Sequence, residues 1–213
     1  EIITRELTGK ESPVPALEEK VIPYYGVKEA AFPFNMFPEV DPLLGPEMRS
    51  TGEVLGLSES YGEAFYKAQE AVQSKLPLSG TVLISVNRKD KAEVVEVAKL
   101  FHENNFRIIA TEGTCQLINE AGIPAEKVKK LCEGRPNVLD EITNGKVDII
   151  VNSPVGKDSV YDDSYLRKAA IKGRIPYCTT MAAAMAAATG IHAVNNHDGG
   201  KIASLQELHG RIK

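Results

Sequence analysis

Residues 147–159 read VDIIVNSPVGKDS. Four of the first five positions are apolar and β-branched, and the run stops at Asn152, Ser153 and Pro154. A short apolar run closed by turn residues reads as a strand covered on both faces. Two runs of the same kind lie upstream, at 81–86 (TVLISV) and 106–110 (FRIIA), and further short strands are predicted at 127–131 and 175–178. Between them the period changes. Over 91–104, Val94, Val97, Ala98 and Phe101 share one helical face, with Glu93, Glu96 and Lys99 outside. Further helices are predicted to begin at 116 and to cover 137–144, 164–172, the alanine-rich 179–189 (TTMAAAMAAAT) and 204–211. Strands alternating with helices predict an α/β fold, a mainly parallel sheet with helices on both faces.

Residues 1–73 have a different character. They hold seven of the twelve prolines and show few clear periods. A strand is predicted at 27–34, closed by Pro33, and a helix at 58–72, capped by Ser58 with Glu63 just inside. These elements cannot bury themselves. The segment is therefore expected to be the end of a larger domain, and the chain a piece cut from a longer one. Residues 74–80 (SKLPLSG) read as a linker, which gives three parts: 1–73, 74–80 and 81–213.

Composition narrows the function classes. With 43% hydrophobic and 25% charged residues, the 213-residue chain has ordinary globular usage. A net charge of −4 gives no electrostatic reason to expect nucleic acid. No apolar run approaches the roughly 18 residues needed to span a bilayer, so no membrane partner is expected. The N-terminal residues lack a secretory signal. Cys115, Cys132 and Cys178 are odd in number and widely spaced, which predicts buried free thiols in a reducing, cytoplasmic compartment. His102, His192, His197 and His209 have no metal-ligand spacing and are expected at the surface.

Chemistry gathers where the strands end. The first apolar strand runs into Ser85, Asn87, Arg88, Lys89 and Lys91; the second into Thr111-Glu-Gly-Thr114; the third into Asn152, Ser153 and Lys157. In open parallel sheets ligands bind beyond these carboxyl ends, where helix N-termini also point. Hydroxyls, an amide, a glycine turn and lysines on one rim suit a phosphate. Simple helix capping by Thr111 and Thr114 is the plainer alternative. Neither the dinucleotide fingerprint G-x-G-x-x-G nor a P-loop occurs.

The run DPLLGPEMRSTGEVLG (41–56), the preceding PYYGVKEAAFPFNMFPEVDP, EGRP (133–136) and the closing SLQELHGRIK carry a resemblance over essentially the whole chain. It resembles the C-terminal region of the carbamoyl-phosphate synthase large-subunit family. The part from 81 to 213 resembles that family's MGS-like allosteric domain, named for methylglyoxal synthase. The resemblance implies a three-layer αβα domain, preceded by the remnant of an α+β ATP-grasp synthetase unit in 1–73. It implies a ligase that makes carbamoyl phosphate from bicarbonate, ATP and glutamine-derived ammonia, for pyrimidine and arginine biosynthesis. The parent enzyme's ATP, Mg or Mn and K would be held upstream, so this chain is expected to carry no catalytic residue, no metal and no cofactor, and to be inactive alone. A glutaminase small subunit and other large subunits would be its protein partners.

By the same resemblance, Ser85, Lys91, Thr111, Thr114, Lys130 and Asn152 would hold a nucleotide effector such as UMP or IMP. Pro154 stands where the family has a threonine, and Lys157 is expected to compensate. Glu29, Tyr177 and Thr179 would bind ornithine, with Cys178 standing where the family has an aspartate. Lys28, Leu44, Ser50 and Glu53 would line a tunnel for carbamate. Two other readings remain. A methylglyoxal synthase-like lyase would need Asp158 as its base, but the chain has no tryptophan where that enzyme has one, and Arg167 and Lys168 occupy that region. An oligomerisation module would use the alanine-rich helix or the closing one.

Overall fold

The computed structural model describes residues 2–11, 20–37, 42, 44–154, 157–196 and 202–212. In chain order the elements are α1 (Ile2–Leu7), β1 (Tyr25–Ala31), β2 (Gly52–Ser58), α2 (Tyr61–Ala71), β3 (Gly80–Val86), α3 (Val94–Glu103), β4 (Phe106–Thr111) and α4 (Glu112–Glu120). They continue with β5 (Ala125–Val128), α5 (Val138–Thr143), β6 (Ile149–Ser153), α6 (Lys157–Gly173), β7 (Tyr177–Cys178), α7 (Met181–Asn196) and α8 (Leu205–His209). Two compact units result, one made of Glu1–Tyr24 with Ile202–Lys213, the other of Tyr25–Lys201.

The apolar runs form one parallel sheet in the order β5-β4-β3-β6-β7. The chain enters at the central strand β3, winds outward through β4 and β5, then returns to the other side for β6 and β7. Alternate residues face opposite layers. Val82, Ile84, Ile108, Ala110, Ile149 and Val151 share a core with Val97 and Phe101 of α3, Ile118 of α4 and Ile191 of α7. Leu83, Ile109 and Ile150 share the other core with Val138 and Ile142 of α5 and Leu166 and Ala170 of α6. Each fully buried large aliphatic side chain contributes about 1.5–3 kcal/mol. The three-layer αβα expectation is met.

β1 and β2 form a separate antiparallel pair, Tyr25 opposite Ser58 and Ala31 opposite Gly52. The sequence reading missed β2. Its two glycines and the adjacent Val54 and Leu55 hide any alternation. Glycine is what lets α2 lie on this pair. A Cβ on Gly56 would sit 2.1 Å from the Ala64 carbonyl oxygen, and one on Gly62 would sit 2.8 Å from the Thr189 carbonyl oxygen of α7. α2 therefore contacts both β2 and α7 closely, inside the same unit as the sheet. Its cap is Ser60, which accepts from the Glu63 amide at 3.3 Å; Ser58 instead donates to Glu63 Oε2 at 2.6 Å. Residues 74–80 lead from α2 to β3, with Leu76 buried. Cys115 and Cys178 are buried as expected, but Cys132 is exposed, because it lies in the short 3-10 turn Leu131–Glu133 at the sheet's rim.

In the other unit, α8 is closed by a capping box. Ser204 Oγ accepts from the Glu207 amide at 3.2 Å, and the Ser204 amide donates to Glu207 Oε2 at 2.7 Å. That exchange holds the Glu207 carboxyl below the usual range.

Candidate functional site

Register brings the three predicted strand ends together. Ser85 on β3 pairs with Asn152 on β6, and Ile84 pairs with Ala110 on β4, which puts Thr111 beside Ser85. The chain turns one way from β3 to β4 and the other way to β6, so this is the switch point where open α/β sheets leave a crevice. A cavity of about 540 Å³ opens there, lined by Ser85, Thr111, Lys130 and Asn152 of the predicted set. Arg88 and Lys89 add cationic side chains, and Leu131, Val138 and Leu166 an apolar wall.

Local geometry sets each group. Thr111 is the N-cap residue of α4, yet its side chain makes no capping bond. The plainer reading of this threonine is thus set aside, and its hydroxyl reaches Ser85 Oγ at 3.5 Å. α4 starts four residues earlier than predicted, at Glu112, which buries Thr114 in the first turn at 1% exposure. Lys91 donates to the Gly113 carbonyl at 3.1 Å, and a Cβ on Gly113 would lie 2.9 Å from the ammonium. Neither Lys91 nor Thr114 lines the cavity. Lys157 opens α6, but its side chain, like that of Asp158, lies outside the described residues. Pro154 lines the cavity and has no N–H to offer. Asn87 staples the loops after β3 and β6, its amide nitrogen donating to Asp90 Oδ2 at 2.6 Å and to the Ser153 carbonyl at 3.1 Å.

The floor of the cavity is a buried polar network that the sequence reading missed. The Asn152 side-chain amide donates to Asp163 Oδ1 at 2.8 Å and to the Tyr177 hydroxyl at 2.7 Å. Tyr177 donates to the same Asp163 oxygen at 2.5 Å, and Arg167 pairs with the other at 2.8 Å. Burial, then the bond to Asp163, push the Tyr177 phenol far above its ordinary range, so it stays protonated. Asp163 is neutralised by Arg167, one turn along α6. Among the described residues, the remaining charges on the cavity wall, Arg88, Lys89 and Lys130, are positive. The i,i+4 spacing of Asp163 and Arg167 was the one available signal, and it is common on solvated helix faces.

A second cavity, of about 520 Å³, is lined by all three residues of the other predicted set, Glu29, Tyr177 and Thr179. Glu29 comes from β1 and accepts from Gln69 Nε2 of α2 at 2.9 Å. Burial pushes its carboxyl up, while the Ala30 amide and Gln69 pull it back. The parallel rings of Phe32 and Phe34, 5.1 Å apart, stand on the wall. Cys178 lines the same cavity and is buried, its thiol pushed up to about 12 by burial.

The third predicted set does not gather around either cavity. Lys28 and Glu53 pair at 2.6 Å across β1 and β2 with both side chains about two-thirds exposed. Leu44 is exposed and Ser50 half-buried. No group of three or more potential metal ligands occurs among the described residues, and no described helix is long and apolar enough to cross a membrane.

The MGS-like domain family matches residues 93–179. The carbamoyl phosphate synthase large chain of Gemmatimonas aurantiaca is 48% identical over 90% of this chain and 18% of its own length. That of Archaeoglobus fulgidus is 45% identical over 98% of this chain and 19% of its own. The carbamoyl phosphate synthase large chain, C-terminal section, of Methanocaldococcus jannaschii is 47% identical over 89% of this chain and 31% of its own. The chain thus spans about a fifth of the whole relatives and about a third of that section. Among solved structures, a methylglyoxal synthase from Elizabethkingia anophelis aligns with a TM-score of 0.43 at 18% identity, over 52% of this chain and 77% of that one.

Proposed function

The chain matches the C-terminal section of carbamoyl phosphate synthase large chains and carries an MGS-like domain, and from that premise we propose that it is the regulatory region of such an enzyme. The cavity at the switch point takes a phosphorylated effector, a nucleotide such as UMP or IMP. The cavity at Glu29 takes a cationic amino acid such as ornithine. Both control an ATP-dependent synthesis of carbamoyl phosphate from bicarbonate and glutamine-derived ammonia, carried out by the rest of a longer chain with a glutaminase subunit.

One observation carries this reading: Ser85, Thr111, Lys130 and Asn152, from three strands and a loop, converge on a single cavity to which, among the described residues, Arg88, Lys89 and Lys130 bring positive charge. Hydroxyl and ammonium donors at a strand-end crevice fit a phosphate, and Leu131, Val138 and Leu166 offer a nucleobase an apolar face. With Pro154 unable to donate, the phosphate falls to Lys130, Arg88 and Lys89, and Lys91 joins by leaving the Gly113 carbonyl. Calorimetric titration with UMP and IMP tests it. Saturable binding of one is expected, weakened roughly ten-fold or more in Lys130→Ala, the worth of one charge-assisted bond of about 1.5–3 kcal/mol. No saturable binding of either overturns it.

A further inference from the structure

We infer that the Glu29 cavity takes a zwitterion, a net-neutral amino acid with its ammonium at Glu29 and its carboxylate at Arg174. The inference rests on the reading of Glu29 as the anchor of an amine and deepens it by assigning the other end of the ligand. Among the described residues that line this cavity, Glu29 is the one carboxylate and Arg174 the one cation. Tyr177 and Cys178 also line it, but burial keeps both protonated at neutral pH, so neither adds a negative charge. The lining is thus neutral in sum, which matches a ligand with one amine and one carboxylate. A diamino acid brings a second ammonium that meets only uncharged groups, such as Gln69, Gln73 and Thr179, and gives up hydration without a counter-charge.

The backbone marks Arg174 independently of its charge. α6 closes in a Schellman turn: the Ile175 amide donates to the Ala170 carbonyl at 2.8 Å, and the Arg174 amide to the Ile171 carbonyl at 3.1 Å. That turn needs one left-handed residue, and Arg174 is it, at φ 53°. Glycine takes this conformation freely, and arginine does not. The chain has a glycine one residue earlier, at 173, and still places arginine at the strained position. The end of α2 repeats the device, where Gln73 is left-handed at φ 62°. Of the three non-glycine residues with positive φ among the described residues, Gln73 and Arg174 both line this one cavity. Strain of this kind persists where a side chain is held for a ligand. Both side chains are planar donors, and the guanidinium fork grips a carboxylate with two parallel hydrogen bonds. Glu29 is fixed in turn by Gln69, and the stacked Phe32 and Phe34 offer the ligand's carbon chain an apolar wall.

The test is calorimetric titration of the whole chain with four amines of similar length. L-Ornithine carries two ammonium groups and a carboxylate. L-Norleucine and δ-aminovalerate each keep the carboxylate and one ammonium, at the α and the δ carbon. Putrescine keeps both ammonium groups and has no carboxylate. At least one of the two zwitterions is expected to bind as tightly as ornithine, and which one does so reads the span between the anchors. Putrescine is expected to bind about five-fold more weakly or worse, the loss of one charge-assisted contact at a partly exposed site. Arg174→Gly suits the left-handed turn, so Tm is expected to hold or rise while affinity for the zwitterions falls about five-fold or more and that for putrescine stays the same. Ornithine tighter than both zwitterions, putrescine matching ornithine, or zwitterion affinity unchanged in Arg174→Gly overturns the inference and leaves the amine site at Glu29 standing. Binding of none of the four, or binding that survives Glu29→Gln, removes the Glu29 reading itself and the zwitterion with it.

Discussion

Asp163 does more than any other single residue in the switch-point cavity. Its two oxygens receive Asn152, Tyr177 and Arg167, and it is almost fully enclosed. Removing one partner of a buried pair leaves the other charged and without compensation. Arg167 Nε has no acceptor among the described residues, so the guanidinium depends on Asp163 all the more. Asp163→Ala is expected to lower unfolding stability by about 3–5 kcal/mol in urea titration, and a second change, Arg167→Met, to restore part of that loss. A loss below about 1 kcal/mol would mean the pair is solvated in solution. Ser85, Thr111 and Asn152 were legible in the sequence because each is a polar residue closing an apolar run. Asp163 was not, because its role arises from where α6 lies on the sheet. The ligand side has its own pH signature. Since burial raises the Glu29 carboxyl, binding of a cationic amine there weakens as pH falls through a range above that of an ordinary glutamate.

At the scale of elements, the joint between β2, α2 and α7 rests on two glycines. Gly56 meets the backbone of α2 and Gly62 that of α7, both closer than a side chain tolerates. Because the obstruction at Gly56 is a carbonyl oxygen and an amide nitrogen, no rotamer change relieves it. Gly56→Ala is expected to cost about 3 kcal/mol, the upper end for overpacking, and to lower Tm by roughly 6–12 °C in thermal unfolding. An unchanged Tm would show that α2 lies farther from β2 than these contacts require. Periodicity found α2 and α3 because each shows the core a continuous face, and alanine content found α7. It missed β2, whose glycines serve packing instead of propensity, and it started α4 late, because Thr111-Glu-Gly-Thr114 looks like a turn although its last three residues already belong to the helix.

For the molecule as a whole, alternation of apolar runs and amphipathic helices carried the parallel sheet and its two helical layers directly. The strand order was harder to read. That β6 returns to the far side of β3, which creates the crevice, follows from packing of α5 and α6 on one face and α3, α4 and α7 on the other. The site could therefore be predicted as a set of strand ends but not as an enclosed volume with Asp163 at its floor. The same architecture leaves the three thiols very unequal. Cys115 and Cys178 are enclosed, and burial raises both thiols, so neither presents a thiolate near neutral pH. Cys132 is exposed and follows Lys130 and Leu131, which line the switch-point cavity. A maleimide dye at neutral pH is thus expected to attach once per chain, confirmed by a single added mass that Cys132→Ser abolishes. The natural sequence thus carries an anchor for an optical reporter one residue from the cavity lining, and a ligand's arrival can be followed by emission without engineering a new cysteine.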